Sequence, residues 1–210
     1  MDKTIDFDLV ADIYDYYVNT DLDIPFFLKE TENIEGDILE LMCGTGRVSI
    51  PLLQAGRELT CVDYCKDMLF RFKEKLMDER LYAEIFQQDI YSLNLNLKFN
   101  MSFIPFHSFS ELADKNKQQT ALQNINKHLH TDGKFICTLQ NPNIRTKGAD
   151  GNQPGGHFRS LFGGSVQVDG DGGGPGHRGG YLLAVADRRG CLAADDPPQG
   201  HPGHRAGLHD

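Results

Sequence analysis

The stretch Asp37-Ile38-Leu39-Glu40-Leu41-Met42-Cys43-Gly44-Thr45-Gly46-Arg47-Val48 decides the fold. An apolar run, a turn with two glycines and the start of a second apolar stripe read as strand, tight turn and helix. Parallel sheets open sites for nucleotide-like ligands with this arrangement. The helix continues through Val48, Leu52 and Leu53 to Gly56, placed as a C-cap. Pro51 is tolerated only in a first turn, which sets the helix start close behind Gly46.

Downstream, Leu59 to Val62 reads as a second strand ended by Asp63, and Met68, Leu69, Phe72 and Leu76 form a helical stripe. Residues 83–86 read as a third strand running into Gln87-Gln88-Asp89-Ile90, and residues 101–106 as a fourth. Leu122, Ile125 and Leu129 mark a helix that ends before a Thr131-Asp132-Gly133 turn, and residues 134–139 make a fifth strand. Upstream, Phe7, Val10, Ala11, Tyr14, Tyr17 and Val18 recur at helical spacing, and Pro25 opens a second helix. Alternating strands and helices mean βαβ units and an α/β fold with a doubly wound, mostly parallel, Rossmann-like sheet.

A formal net charge of −9 argues against a nucleic-acid surface, and no Lys/Arg run is present. No segment approaches the ~18 apolar residues of a membrane span, and the acidic N-terminus lacks a signal-peptide core. The five cysteines, at 43, 61, 65, 137 and 191, are an odd set. Cys43, Cys61 and Cys137 fall in or beside strands, where a thiol acts as a small core residue. Reduced thiols and a cytoplasmic location follow, with no metal site expected from Cys61 and Cys65.

Composition breaks near residue 150. Residues 1–147 hold 11 lysines and 5 glycines, whereas residues 148–210 hold no lysine and 17 glycines. Such glycine density carries a large ordering entropy and gives little to bury. The expected domains are therefore a helical cover over 1–36, a core over 37–147, and a Gly/Pro/His-rich tail over 148–210. That tail is read as out of frame or disordered, since Lys, Ile and Asn give way to Gly, Ala, Arg and Pro; a separate module is the third reading. Within it, residues 181–186 alone look able to form an element. The scattered histidines at 201, 204 and 209 are read as incidental to that bias.

With the glycine turn, Asp63 and Gln88-Asp89 in register, residues 5–145 resemble the class I S-adenosylmethionine-dependent methyltransferases. The resemblance is most specific at residues 39–47, which look like that family's E/D-x-x-x-G-x-G motif. It implies S-adenosylmethionine as cofactor and a small-molecule methyl acceptor. Residues 104–109 and 141–143 lack the Asn/Asp-Pro-Pro-aromatic signature of the amino-directed nucleic-acid enzymes. It also implies Glu40 beside the cationic methionine portion, Asp63 on the ribose hydroxyls, and Asp89 at the adenine amino group. Ile90 and Met68 would touch the ring; Cys43, Gly44, Thr45, Gly46, Tyr64 and Phe106 complete the cofactor set. His107 and Tyr14 are the catalytic candidates, each with a structural alternative, and Arg47 is expected to pair with an N-terminal acid.

The family's sheet usually has seven strands, closed by an antiparallel pair after strand 5, and nothing after Asn143 resembles that pair. The last two strands are thus expected to be missing, leaving strand 5 as an open edge. Two alternatives stay open. One is a cofactor-binding remnant without turnover. The other is an NAD-dependent oxidoreductase, although Ser49 stands where the dinucleotide fingerprint wants its third glycine.

Overall fold

The computed structural model describes residues 6–112, 114–140 and 181–187. Six strands form one sheet in the order β3-β2-β1-β4-β5-β6. They are β1 (Ile38–Leu41), β2 (Leu59–Asp63), β3 (Glu84–Gln87), β4 (Phe99–Ile104), β5 (Leu129–Gln140) and β6 (Tyr181–Asp187). The first five run parallel, with Glu40 beside Cys61 on one side and Phe103 on the other. The helices are α1 (Tyr14–Tyr17), α2 (Ile24–Glu30), α3 (Ser49–Gln54), α4 (Lys66–Glu79) and α5 (Lys115–Lys127).

β1 and β2 are buried along their whole length, as expected for strands covered on both faces. Alternation divides their side chains between two apolar layers. Leu39, Leu41 and Val62 join Phe99, Phe135, Leu122 and Ile125 on the α5 side. Ile38 and Cys61 join Phe27, Leu52, Phe72 and Phe103 on the other. Glu40 follows the parity of Ile38, so a carboxyl group enters this second layer.

Four expectations change. Phe7–Val18 is not one helix: a 3-10 turn (Phe7–Leu9) and the four-residue α1 share the segment. The predicted break at Thr131-Asp132-Gly133 lies inside β5, where Phe99 pairs with Leu129 but Met101 with Lys134. This bulge absorbs the extra residues. The fourth strand spans 99–104 rather than 101–106, so Phe106 stands beyond it. The fourth change is at the edge of β5, which is paired. β6 runs antiparallel to it, Lys134 opposite Asp187 through Gln140 opposite Tyr181. One strand, built on the stretch 181–186, therefore closes the edge that was expected to be open, and its paired backbone satisfies groups that an open edge leaves bare. The rest of the tail, with its histidines and Cys191, lies outside the described residues.

Candidate functional site

Four chain reversals meet at the carboxyl ends of the central strands. After β1 the chain passes through Met42 (φ 56°), Gly44 (φ 55°) and Gly46 (φ 80°), all left-handed. Glycine adopts this region freely, whereas a methionine there carries a steric cost of roughly 1–2 kcal/mol. The two glycines serve different ends. A Cβ on Gly44 would meet nothing, so its open side faces space; a Cβ on Gly46 would overlap the Phe72 ring of α4. Gly46 thus allows close helix packing behind the turn.

Two carboxylates hold the turn. Asp63 at the end of β2 accepts the Gly44 N–H at 2.8 Å and the Cys65 N–H at 2.9 Å. Burial pushes its carboxyl up from the usual range, while these backbone donors pull it back. Glu40 is 1% exposed. Its Oε2 accepts the Ser49 hydroxyl at 2.5 Å at the start of α3, while its buried Oε1 has no hydrogen-bond partner. Burial pushes this carboxyl up to about 8.

The N-terminal segment lies over the turn and is pinned there. Arg47 grips Asp23 through two hydrogen bonds, at 2.6 and 2.8 Å, and also donates to the Thr20 carbonyl. The expected pairing of Arg47 with an N-terminal acid is met. Thr45 donates to Asp15 at 2.6 Å, and Lys75 of α4 bridges Asp15 and the Thr45 carbonyl. Arg71 pairs with Asp12. Tyr14 packs edge-on against Phe7 and Tyr17, and burial pushes its hydroxyl up to about 12.

Two adjoining clefts of about 230 and 40 Å³ run between this cover and the strand ends. The larger is walled by Met42, Tyr64, Asp89, Ile90, Tyr91 and Leu112. The smaller is walled by Tyr14, Gly44, Asp63, Met68 and Ser108, and Phe7, Met42, Tyr64 and Glu111 face both. Of the sequence candidates, the clefts bring together Gly44, Asp63, Tyr64, Met68, Asp89, Ile90 and Tyr14. Asp89 also caps the 3-10 turn Ile90–Ser92 by accepting the Tyr91 N–H.

The other candidates stand behind the walls. Glu40, Cys43 and Thr45 are buried around the turn, with Gly46 against Phe72. Phe106 lies 4.6 Å under the Arg47 guanidinium. His107 stacks on Phe106 and its N–H donates to the Thr138 hydroxyl; burial lowers its pKa. Its side chain does not cap the following 3-10 turn. Sequence reasoning missed Phe7, Met42, Tyr91, Glu111 and Leu112. Met42 had a usable signal, since it sits directly between strand and glycine turn; Glu111 had none in local spacing.

A hollow of about 450 Å³ lies at the opposite, amino-terminal ends of β1, β2 and β3, among Asp37, Arg57, Glu58, Thr60 and Glu84. Ligands of open parallel sheets bind beyond the carboxyl ends of strands, so the clefts at the glycine turn are the candidate site. Among the described residues no helix is long and apolar enough to cross a membrane.

Comparison with known proteins bears on the fold and the family. Residues 38–133 match a family model described as a methyltransferase domain. No curated protein matches the chain. Among solved structures, an S-adenosylmethionine-dependent methyltransferase from Clostridium acetobutylicum is 24% identical over 70% of this chain and 62% of its own, with a TM-score of 0.59. The glycopeptide N-methyltransferase MtfA is 27% identical over 56% of this chain and 52% of its own, with a TM-score of 0.52. MtfA complexed with S-adenosyl-L-methionine superposes at a TM-score of 0.56, 22% identical over 82% of this chain and 68% of that one. The chain thus spans 62% and 52% of the first two structures it resembles.

Proposed function

We propose, from the premise that this chain carries a domain of the class I S-adenosylmethionine-dependent methyltransferase family, that it binds S-adenosylmethionine and transfers its methyl group to a small-molecule acceptor. One observation carries the reading. The glycine turn, Asp63 and Asp89 open on adjoining clefts at the carboxyl ends of β1, β2 and β3. That MtfA has been solved with this cofactor supports the assignment.

The residues present fit the cofactor. Asp63 spends one lone pair on each of two backbone N–H groups and keeps acceptor capacity for a pair of ribose hydroxyls. Asp89 would take the adenine amino group, with Ile90, Met68 and Met42 as apolar partners of the ring. Glu40 stands behind the turn, and its orphaned Oε1 would gain a partner, and its carboxyl a charge, only if the ammonium of the methionine portion reached it. Once bound, the cofactor supplies a methyl group already activated by its sulfonium, so the protein's part is orientation and exclusion of water. Tyr14 and Phe7 cover the cleft, and the Arg47–Asp23 and Thr45–Asp15 bonds hold that cover closed.

A second reading is a cofactor-binding chain without turnover, since among the described residues one strand, not an antiparallel pair, follows β5. Calorimetry with S-adenosylhomocysteine, then transfer of labelled methyl to an acceptor library, separates the two. Micromolar binding with transfer supports the enzyme, and binding without transfer supports the second reading. A thermal shift with NAD but none with S-adenosylhomocysteine refutes both.

A further inference from the structure

We propose that the methyl acceptor is an amine that arrives as its ammonium ion, and that Glu111 is the catalytic base that takes its proton. The proposal rests on the methyltransferase reading above and names its substrate class.

The chain brings Glu111 to the site by an unusual reversal. Phe106 and His107 after β4 are both left-handed, at φ 52° and 61°. They turn the 3-10 segment Ser108–Glu111 back across the strand ends. Phe109 and Leu112 are 5% and 6% exposed, and Gln118 of α5 donates to the Leu112 carbonyl at 2.6 Å. A side chain held between two core anchors is presented in a defined direction. Glu111 accordingly faces the seam where the two clefts meet, opposite Gly44 and Asp63.

The electrostatics select a cation. Among the described residues neither cleft has a lysine or arginine in its wall, and Glu111 is the carboxyl there that the cofactor reading leaves unassigned, beside the charges of Asp63 and Asp89. A neutral hydroxyl acceptor would gain little there, and an anionic one would be repelled. Glu111 is exposed toward the clefts, and partial desolvation by their walls together with the neighbouring Asp63 pushes it up to about 7, closer to an amine than an ordinary carboxylate is. The other titratable groups facing it are Tyr14, Asp63, Tyr64, Asp89 and Tyr91. Tyr14 and Tyr64 are pushed to about 12 and Tyr91 upward, so the tyrosines stay neutral around pH 7.

An ammonium has no lone pair and must lose a proton before it can react. The Glu111 carboxylate takes one ammonium proton and becomes a carboxylic acid. The freed amine lone pair forms the N–C bond to the donor's methyl as the C–S bond breaks, its electron pair remaining on sulfur. The product leaves as a methylated ammonium and a neutral thioether, and Glu111 returns its proton to water.

The test uses benzylamine and benzyl alcohol as probes on the full chain saturated with S-adenosylhomocysteine at pH 7. Calorimetry in buffers of differing ionisation enthalpy reads affinity and proton release together. Benzylamine should bind at least about tenfold more tightly than the alcohol, and should release roughly half a proton as a half-ionised Glu111 becomes fully ionised. In E111Q and E111A the preference should fall below about twofold and the proton release should vanish. A cooperative melt checks that the variants fold, and E111D should keep part of the preference. Equal affinities in the wild type, absence of benzylamine binding, or a preference surviving in E111Q overturns the proposal. Failure of S-adenosylhomocysteine itself to bind overturns the methyltransferase reading beneath it instead.

Discussion

Replacing Glu40 by glutamine should make the protein more stable as pH rises, although the residue sits in the site's supporting wall. An unfolded glutamate titrates near 4.5, and the buried Glu40 near 8. Between those values the folded chain keeps a proton that the unfolded chain releases, so unfolding is increasingly favoured as pH rises. The stability conferred by neutral Glu40 is whole below about pH 4.5 and is lost progressively up to about 8. At 1.36 kcal/mol per unit the full loss has a ceiling of about 5 kcal/mol, with roughly 3 lost by pH 7. The side-chain amide of the E40Q variant would still accept the Ser49 hydroxyl and would not titrate. Urea unfolding of both proteins between pH 5 and 8.5 should show near-equal stability at pH 5 and a gap of a few kcal/mol in favour of E40Q at pH 8.5, with unchanged m-values. Glu111 and Asp63, also raised, titrate in both proteins and largely cancel in the difference. Stability curves that run parallel, within about 0.5 kcal/mol across that range, would refute the assignment of a buried proton to Glu40.

Three further outcomes follow from the turn and its cover. Gly46→Ala should cost about 2–4 kcal/mol in urea unfolding, since its methyl group meets Phe72 in a left-handed backbone; Gly44→Ala, with open space around it, should cost about 1–2. Asp63→Asn, which leaves one of two backbone N–H groups facing an amide donor, should cost about 1–3 kcal/mol and weaken S-adenosylhomocysteine binding at least about tenfold by calorimetry. Arg47→Ala should free the N-terminal segment from Asp23 and Thr20, read as faster amide exchange at Tyr14–Tyr17 with β1 unchanged.

The strand, turn and helix around Gly44 were legible because each local signal agreed. An unbroken apolar run marks a strand buried on both faces, and glycine supplies the left-handed turn. Five parallel strands followed from counting such runs. Long-range contacts decided the rest. Phe7–Val18 has helical spacing, yet Leu9, Ile13 and Tyr16 are exposed, and Asp12 and Asp15 are drawn to Arg71, Lys75 and Thr45. Those ties shape the segment more than its periodicity does. The wall made by Glu111 and Leu112 depends on left-handed Phe106 and His107, and nothing in their residue types announces such a reversal. β6 was visible as a short apolar stretch, but its place against β5 depends on a pairing of residues over forty positions apart.

The two acids of the turn also explain why it stands ready without a ligand. In the β1–β2 register Glu40 lies beside Cys61 and Leu41 beside Val62, and Asp63 ends β2 one step further. Glu40 therefore points down among apolar side chains, where it ties the start of α3 through Ser49. Asp63 reaches across to the Gly44 amide at the cleft. One carboxyl fixes the turn from behind and the other from the front, so both glycines keep their backbone angles before anything binds. A turn held in this way loses little conformational entropy on binding, and most of the contact energy appears as affinity. Amide exchange at Gly44 and Gly46 should accordingly be slow in the free protein, and should quicken at Gly44 in Asp63→Asn more than in Glu40→Gln.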